Sequence, residues 1–149
     1  MTKRTAWIVD VDGTLADVRE FRHYVLNKPK NFDKFHEHSI YAPAHQHVVD
    51  MVHAAKQAGH DIIIVTARKA KWRNHTAFWL ADKGIPSDAL FMRDDKDGRK
   101  DYEVKKDILN TIRKTWEVVH AIDDNPSIIA LWTNEGIATT IVEGWMEEA

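Results

Sequence analysis

Short apolar runs alternate along the chain with longer stretches in which apolar residues return every three or four positions. Ala6-Trp7-Ile8-Val9 is a strand-length run that ends in acid at Asp10. Val48, Val49, Met51, Val52 and Ala55 recur at helical spacing as far as Gly59, a residue suited to a helix end. Asp61-Ile62-Ile63-Ile64-Val65 is β-branched and nearly continuous, as in a strand buried on both faces. Trp72, Thr76, Trp79 and Leu80 mark a helix stopped near Gly84 and Pro86, and Ala89-Leu90-Phe91-Met92 is a further short strand. Val104, Ile108, Leu109 and Ile112 give an amphipathic helix, followed by the strand Val118-Val119-His120-Ala121-Ile122. Asn125-Pro126-Ser127 reads as a helix start, with Asp124 or Asn125 as cap, and Ala138-Thr139-Thr140-Ile141-Val142 as the last strand.

This alternation predicts an α/β fold, a Rossmann-like parallel sheet with helices on both faces. In such sheets the ligand crevice lies beyond the carboxyl ends of the strands. Three of the expected strands end there in reactive polar residues: Asp10 and Asp12, then Thr66, then Asp123 and Asp124. The stretch from about 17 to 44 breaks the pattern. It is expected to be a small cap-like insertion after the first strand, with Asn27-Lys28-Pro29-Lys30 followed by a short helix over Asn31-Phe32-Asp33-Lys34-Phe35-His36. No repeat or linker divides the chain, and 149 residues suit one domain.

Composition narrows the chemistry. A net charge of -2, from 21 Lys+Arg against 23 Asp+Glu, gives no global basic field, so any polyanion must be bound by a local patch. The absence of cysteine excludes disulfides, thiolate catalysis and Cys-ligated zinc. The first apolar run is only four residues long, too short for a signal peptide, and no run approaches the ~20 apolar residues that span a bilayer. A cytoplasmic protein with no membrane partner is expected.

Hydrolysis of a phosphate monoester needs a cation to bring a carboxylate against a dianionic substrate. Mg²⁺, held by hard oxygens, supplies it. A second carboxyl must protonate the leaving oxygen and then activate water. Asp10-Val11-Asp12-Gly13-Thr14 meets both demands: Asp10 as nucleophile, Asp12 re-aimed by a turn at Gly13 as acid and base, its backbone carbonyl lent to the metal. Asp123 and Asp124 complete the metal site. Thr66, with nearby backbone N–H groups, suits the phosphoryl oxygens, and Lys105 can neutralise charge on Asp10 and the phosphate.

These residues, Asp10-Val11-Asp12-Gly13-Thr14-Leu15, Val65-Thr66, Lys105 and Ile122-Asp123-Asp124, follow the order of the four motifs of the haloacid dehalogenase superfamily, and the resemblance covers nearly the whole chain. Thr66-Ala67-Arg68, the stretch from Arg99-Lys100-Asp101 to Lys105, and Ala121-Ile122-Asp123-Asp124 are more closely similar to the 3′-phosphatase domain of phage-type polynucleotide kinase-phosphatase. That resemblance implies a three-layer α/β/α fold, Mg²⁺, and removal of 3′-phosphates from DNA or RNA ends in repair, through an aspartyl-phosphate. It also implies that Arg68 binds the substrate phosphate, with Gly13, Thr14 and Ala67 beside it, and that an insertion arginine, Arg19 or Arg22, assists. No Gly-x-x-x-x-Gly-Lys-Ser/Thr loop occurs, so a kinase or ligase would be a separate partner.

Plainer assignments compete for single features. An Asp-x-Asp-Gly calcium loop fails, because its sixth and twelfth places hold Leu15 and Phe21. His36, His38, His45 and His47 lack zincin spacing and suit solvated, substrate-facing or packing positions. Asp94, Asp95, Asp97 and Gly98 suit a solvated turn, and Trp72 and Trp79, a helical step apart, suit the core. Lys69, Lys71 and Arg73 form a short basic cluster beside the expected phosphate site, either a wet helix face or a nucleic-acid contact. Two other functions share the pattern: a phosphatase of free nucleotides or other small phosphoesters, and a non-catalytic nucleic-acid-end binding module.

Overall fold

The computed structural model describes residues 2–26 and 29–145. The Asn27-Lys28 part of the expected insertion therefore lies outside the described residues.

Five parallel strands form one sheet in the order β3-β2-β1-β4-β5. They are β1 (Arg4–Val9), β2 (Asp61–Lys69), β3 (Ala89–Arg93), β4 (Trp116–Asp123) and β5 (Ala138–Ile141). Strict alternation divides the central strands between two helical layers. Val9, Ile62 and Ile64 face one side and pack with α3 (Gln46–Gln57) and α4 (Arg73–Asp82). Ala6, Ile8, Ile63 and Val65 face the other, against α5 (Asp101–Ile112) and α6 (Pro126–Asn134). The expected three-layer α/β/α fold is the one observed.

Local chemistry accounts for the element ends. Asn125 caps α6 by accepting from the Ser127 N–H, with Pro126 in the first turn where no amide is needed. Trp72 sits in a 3-10 turn (Ala70–Trp72) just ahead of α4. β2 runs four residues past Val65, and its pairing with β3 shifts register between Val65 and Lys69. In β4, Ala6 pairs with Val118 and Trp7 with His120, leaving Val119 as an extra residue. That bulge lets Val118 and Ala121, three apart, face the same helical layer.

The insertion leaves and rejoins the core through a narrow neck, in which Ala16 bridges Ala44 and the Asp17 N–H donates to the Pro43 carbonyl at 2.8 Å. It holds a 3-10 turn at Arg19–Phe21, the short helices α1 (His23–Leu26) and α2 (Phe32–His38), and a second 3-10 turn at Ser39–Tyr41. Phe35 and Ala42 tie it to the α3/α4 core, and the Trp79 indole donates to the Ala42 carbonyl at 2.9 Å.

At the amino ends of the strands Asp61 gathers three elements. Arg4 reaches it at 2.8 and 2.7 Å and the Trp116 indole at 2.8 Å. The Arg4 hydrogen bonds, opposed by burial and helped by the Trp116 indole, hold the Asp61 carboxyl well below the usual carboxylate range. The unfolded chain titrates near ~4, so this stabilisation is complete above that pH and fades as pH falls below it. Asp61→Asn is expected to lower stability by about 1–2 kcal/mol at neutral pH and to flatten the acid limb of a Tm–pH curve.

Candidate active site

The carboxyl edge of the sheet collects the acidic residues. Asp10 follows β1 and Asp123 ends β4, with Asp124 next; they are 8%, 1% and 3% exposed, so burial of three carboxylates together demands a counter-charge. Oxygens of all three lie within 4.8 Å of one another. Lys105, one turn into α5 and buried, donates to Asp10 Oδ1 at 2.9 Å and to Asp123 Oδ2 at 3.3 Å. Thr14 Oγ1 lies 3.0 Å from Asp10 Oδ2 and 3.2 Å from Asp124 Oδ1, so its one proton is shared between two carboxylates. Thr14 is fully buried beneath the acids and positions them, where the sequence had suggested a phosphate contact.

Gly13 makes this packing possible. Its φ of 83° lies in the left-handed region, and a Cβ there would sit 2.1 Å from Asp124 Oδ2. The turn sends Asp12 away from the three-acid cluster. Arg68 holds it, Nε to Oδ2 at 3.0 Å and Nη2 to Oδ1 at 2.5 Å, while Nη1 donates to Thr76 Oγ1 at 3.1 Å. Thus Arg68, expected to meet the substrate, spends its guanidinium on Asp12 and Thr76 from the wall of a cavity. Thr66 is buried within β2 and accepts from the Arg68 N–H at 3.2 Å.

The two insertion arginines separate. Arg22 is 9% exposed and lines the cavity, with Nη2 3.6 Å from Asp124 Oδ2 and the guanidinium 5.8 Å from the centroid of the Trp145 ring. Arg19 points elsewhere: it is exposed, forms a bidentate pair with Asp17, and faces a separate shallow pocket. Asp17, two residues before Arg19, captures it locally and at little entropic cost, whereas Arg22 has a buried acid to reach.

The acids do not titrate alike. Burial and then the Asp123 charge push Asp10 well above the ordinary carboxylate value, against the pull of Lys105. Burial and Asp123 also lift Asp124, to about 6. For Asp12 burial acts upward too, but the Arg68 charge and hydrogen bonds outweigh it and leave the group below its usual value. Lys105 is raised because Asp10 and Asp123 overcome the effect of burial. A hard divalent cation fits the residues present. Asp124 Oδ2 is buried without a hydrogen-bond partner, the donors are all carboxylate oxygens, and their charge exceeds that of Lys105 and Arg22.

Beside the acids, and bordered by Arg22 that reaches Asp124, lies a cavity of about 640 Å³ whose lining includes Asp12, Arg22, Ala67 and Arg68. One of its features was not anticipated. Arg93, buried at the end of β3, donates to the Ala67, Asp97 and Arg99 carbonyls and to Asp101, so it fixes the loop leading to α5. The only hint of it in the sequence is a charged residue closing an apolar strand. His36 lines the cavity from α2, near Asp12, and burial lowers it to about 4, leaving it neutral at physiological pH. Of the basic cluster, Lys71 pairs with Asp33 at 2.8 Å, Arg73 donates to the Leu90 carbonyl, and Lys69 is exposed on the cavity rim. Trp79 is core, as expected, whereas Trp72 lines the cavity; Asp97 and Gly98 also reach its edge.

Solved structures share this architecture. The class C acid phosphatase from Bacillus anthracis, with tungstate bound, superposes with a TM-score of 0.72 at 18% identity, over 95% of this chain and 67% of that one, which speaks to the fold. With the four motifs at the sheet edge, the class is that of the haloacid dehalogenase phosphatases. Residues 4–144 match the family model described as the polynucleotide kinase PNKP phosphatase domain, and the chain belongs to that family. A chain of the Pnkp1/Rnl/Hen1 RNA repair complex matches with a TM-score of 0.79 and 28% identity, over 94% of this chain and 42% of that one. The predicted bifunctional polynucleotide kinase/RNA ligase of Autographa californica nuclear polyhedrosis virus is 30% identical over 138 residues, which are 90% of this chain. The chain spans 18% of the length of that relative. Among the described residues no helix is long and apolar enough to cross a membrane.

Proposed function

We propose that this chain is one phosphatase domain with a small cap at about 17–44, and that it removes 3′-phosphates from DNA or RNA ends in nucleic-acid repair, using Mg²⁺ and a phosphorylated Asp10. The observation that carries the proposal is the meeting of Asp10, Asp123, Asp124 and Lys105 next to a cavity walled by Asp12, Arg22 and Arg68. Asp10, Asp123, Asp124 and the Asp12 carbonyl would hold the cation, which supplies the positive charge that lets a carboxylate approach a phosphate dianion.

In the first step an Asp10 oxygen bonds to phosphorus, the bond to the ester oxygen breaks, and Asp12 gives that oxygen its proton. Arg68 is the natural group to shift from Asp12 onto the phosphoryl oxygens, which frees Asp12 to carry the proton. Thr66 and the neighbouring backbone N–H groups, including that of Ala67, share the equatorial oxygens, and Arg22 adds charge from the cap side. In the second step Asp12 takes a proton from water as the water attacks phosphorus. Inorganic phosphate leaves and the Asp10 carboxylate is restored. Lys105 keeps Asp10 in place throughout.

The relative named for polynucleotide kinase and RNA ligase functions and the neighbour from an RNA repair complex favour a nucleic-acid end over a small metabolite, and the former favours a separate kinase or ligase as working partner. A cytoplasmic site of action is part of this proposal. The test is phosphate release from a 3′-phosphorylated oligonucleotide, from a 3′-mononucleotide and from small phosphoesters, each with Mg²⁺ and with EDTA. The oligonucleotide is expected to be the best substrate, and chelation to abolish turnover. Equal rates on all substrates would remove the polymer from the proposal; turnover undiminished by EDTA would remove the cation.

A further inference from the structure

The cavity is larger than a phosphoryl group needs, and its lining combines two chemistries. About 640 Å³ falls within the ~300–1,000 Å³ typical of sites for whole small-molecule ligands. Asp12 and Arg68 supply the charged groups assigned to the phosphate. The same lining holds two aromatic side chains from different segments: Phe32, which opens α2 in the cap, and Trp72, which closes the 3-10 turn before α4. The 2.8 Å Asp33–Lys71 ion pair joins their immediate neighbours, and Lys71 Nζ also lies 5.6 Å from the Trp72 ring centroid. His36, one turn after Phe32, has its ring centroid 6.1 Å from that of Trp72.

Core packing does not account for this corner. Phe32 is 54% exposed, so it is a poor anchor for the cap. His36 Nδ1, Trp72 Nε1 and His75 Nε2 are all buried there without hydrogen-bond partners. Leucines would join cap to core without that desolvation penalty. Flat π surfaces opening on a cavity that continues into a phosphate site suit one kind of occupant.

Resting on the nucleic-acid-end function above, we propose that Phe32 and Trp72 form a stacking subsite for the base of the terminal nucleotide, the one whose phosphate Asp10 attacks. Stacking is indifferent to base identity, since every base has a π face, so the subsite recognises a nucleotide end without reading sequence. Lys69, exposed on the same rim, supplies a cation suited to the neighbouring backbone phosphate.

The experiment compares two single-stranded oligonucleotides that end in a 3′-phosphate. One carries a base on its last nucleotide and the other a tetrahydrofuran abasic analogue. The wild-type protein is expected to prefer the base-bearing end by about tenfold in kcat/KM. Trp72→Ala should bring that preference close to unity, and Trp72→Phe should keep most of it. If Trp72→Ala does not fold, the exposed Phe32→Ala carries the same comparison. A wild-type protein indifferent to the missing base overturns the subsite, as does a Trp72→Ala variant slowed equally on both strands, which would mark a structural role. Failure to cleave any 3′-phosphorylated strand, while small phosphoesters are cleaved, overturns the nucleic-acid function and the subsite together.

Discussion

Asp10→Asn is expected to lower phosphate release by at least about a thousandfold, because the amide cannot donate an electron pair to phosphorus as a carboxylate does. The fold should survive. Asparagine has the same shape, and its carbonyl can still accept from Lys105 at the 2.9 Å position of Asp10 Oδ1. Removing one of three clustered negative charges also relieves the repulsion from Asp123 and Asp124 that raises Asp10. Melting in EDTA should therefore show a Tm equal to or above that of the wild type. Lost activity with retained or raised stability is the signature of a group kept for chemistry at the expense of the fold. Full activity in this variant would show that the nucleophile lies elsewhere.

Lys105→Met carries the second large effect, with stability moving the other way. The ammonium is buried and bonded to both Asp10 and Asp123, and methionine keeps its length but not its charge. Two buried carboxylates would then face each other uncompensated, a loss of about 3–5 kcal/mol for a broken buried pair. For a chain of this size that lowers Tm by on the order of 10 °C. The double variant Lys105→Met with Asp10→Asn should recover part of the loss, since it removes the charge left unpaired. Mg²⁺ should also raise the Tm of the single variant, by supplying the missing charge to the same oxygens. A Lys105→Met protein as stable as the wild type in EDTA would mean that the three acids do not share a buried site.

Much of this was open to view in the chain. Ile62 to Val65 could be little but a doubly covered strand, and the repeated strand–helix spacing leaves few alternatives to a parallel sheet. An acid at the end of such a strand lies on the ligand edge wherever the strand sits in the sheet. For that reason Asp10, Asp123 and Asp124 could be placed together from separate stretches.

Side-chain partners were another matter, because each is chosen by neighbours distant in sequence. Nothing near Arg68 in the sequence says that Nε and Nη2 of its guanidinium rest on Asp12, 56 residues away. Nor does the sequence say that Thr14 shares its proton between acids from two strands, or that Arg22 enters the cavity while Asp17 holds Arg19 outside it. The extra residue in β4 and the anchoring of the loop before α5 by Arg93 have the same origin. Periodicity and the identity of residues at strand ends determined the fold and the acidic centre. Which donor meets which acceptor was decided only when burial brought distant segments into one low-dielectric space, where each polar group had to find a partner or bear the full penalty of lacking one.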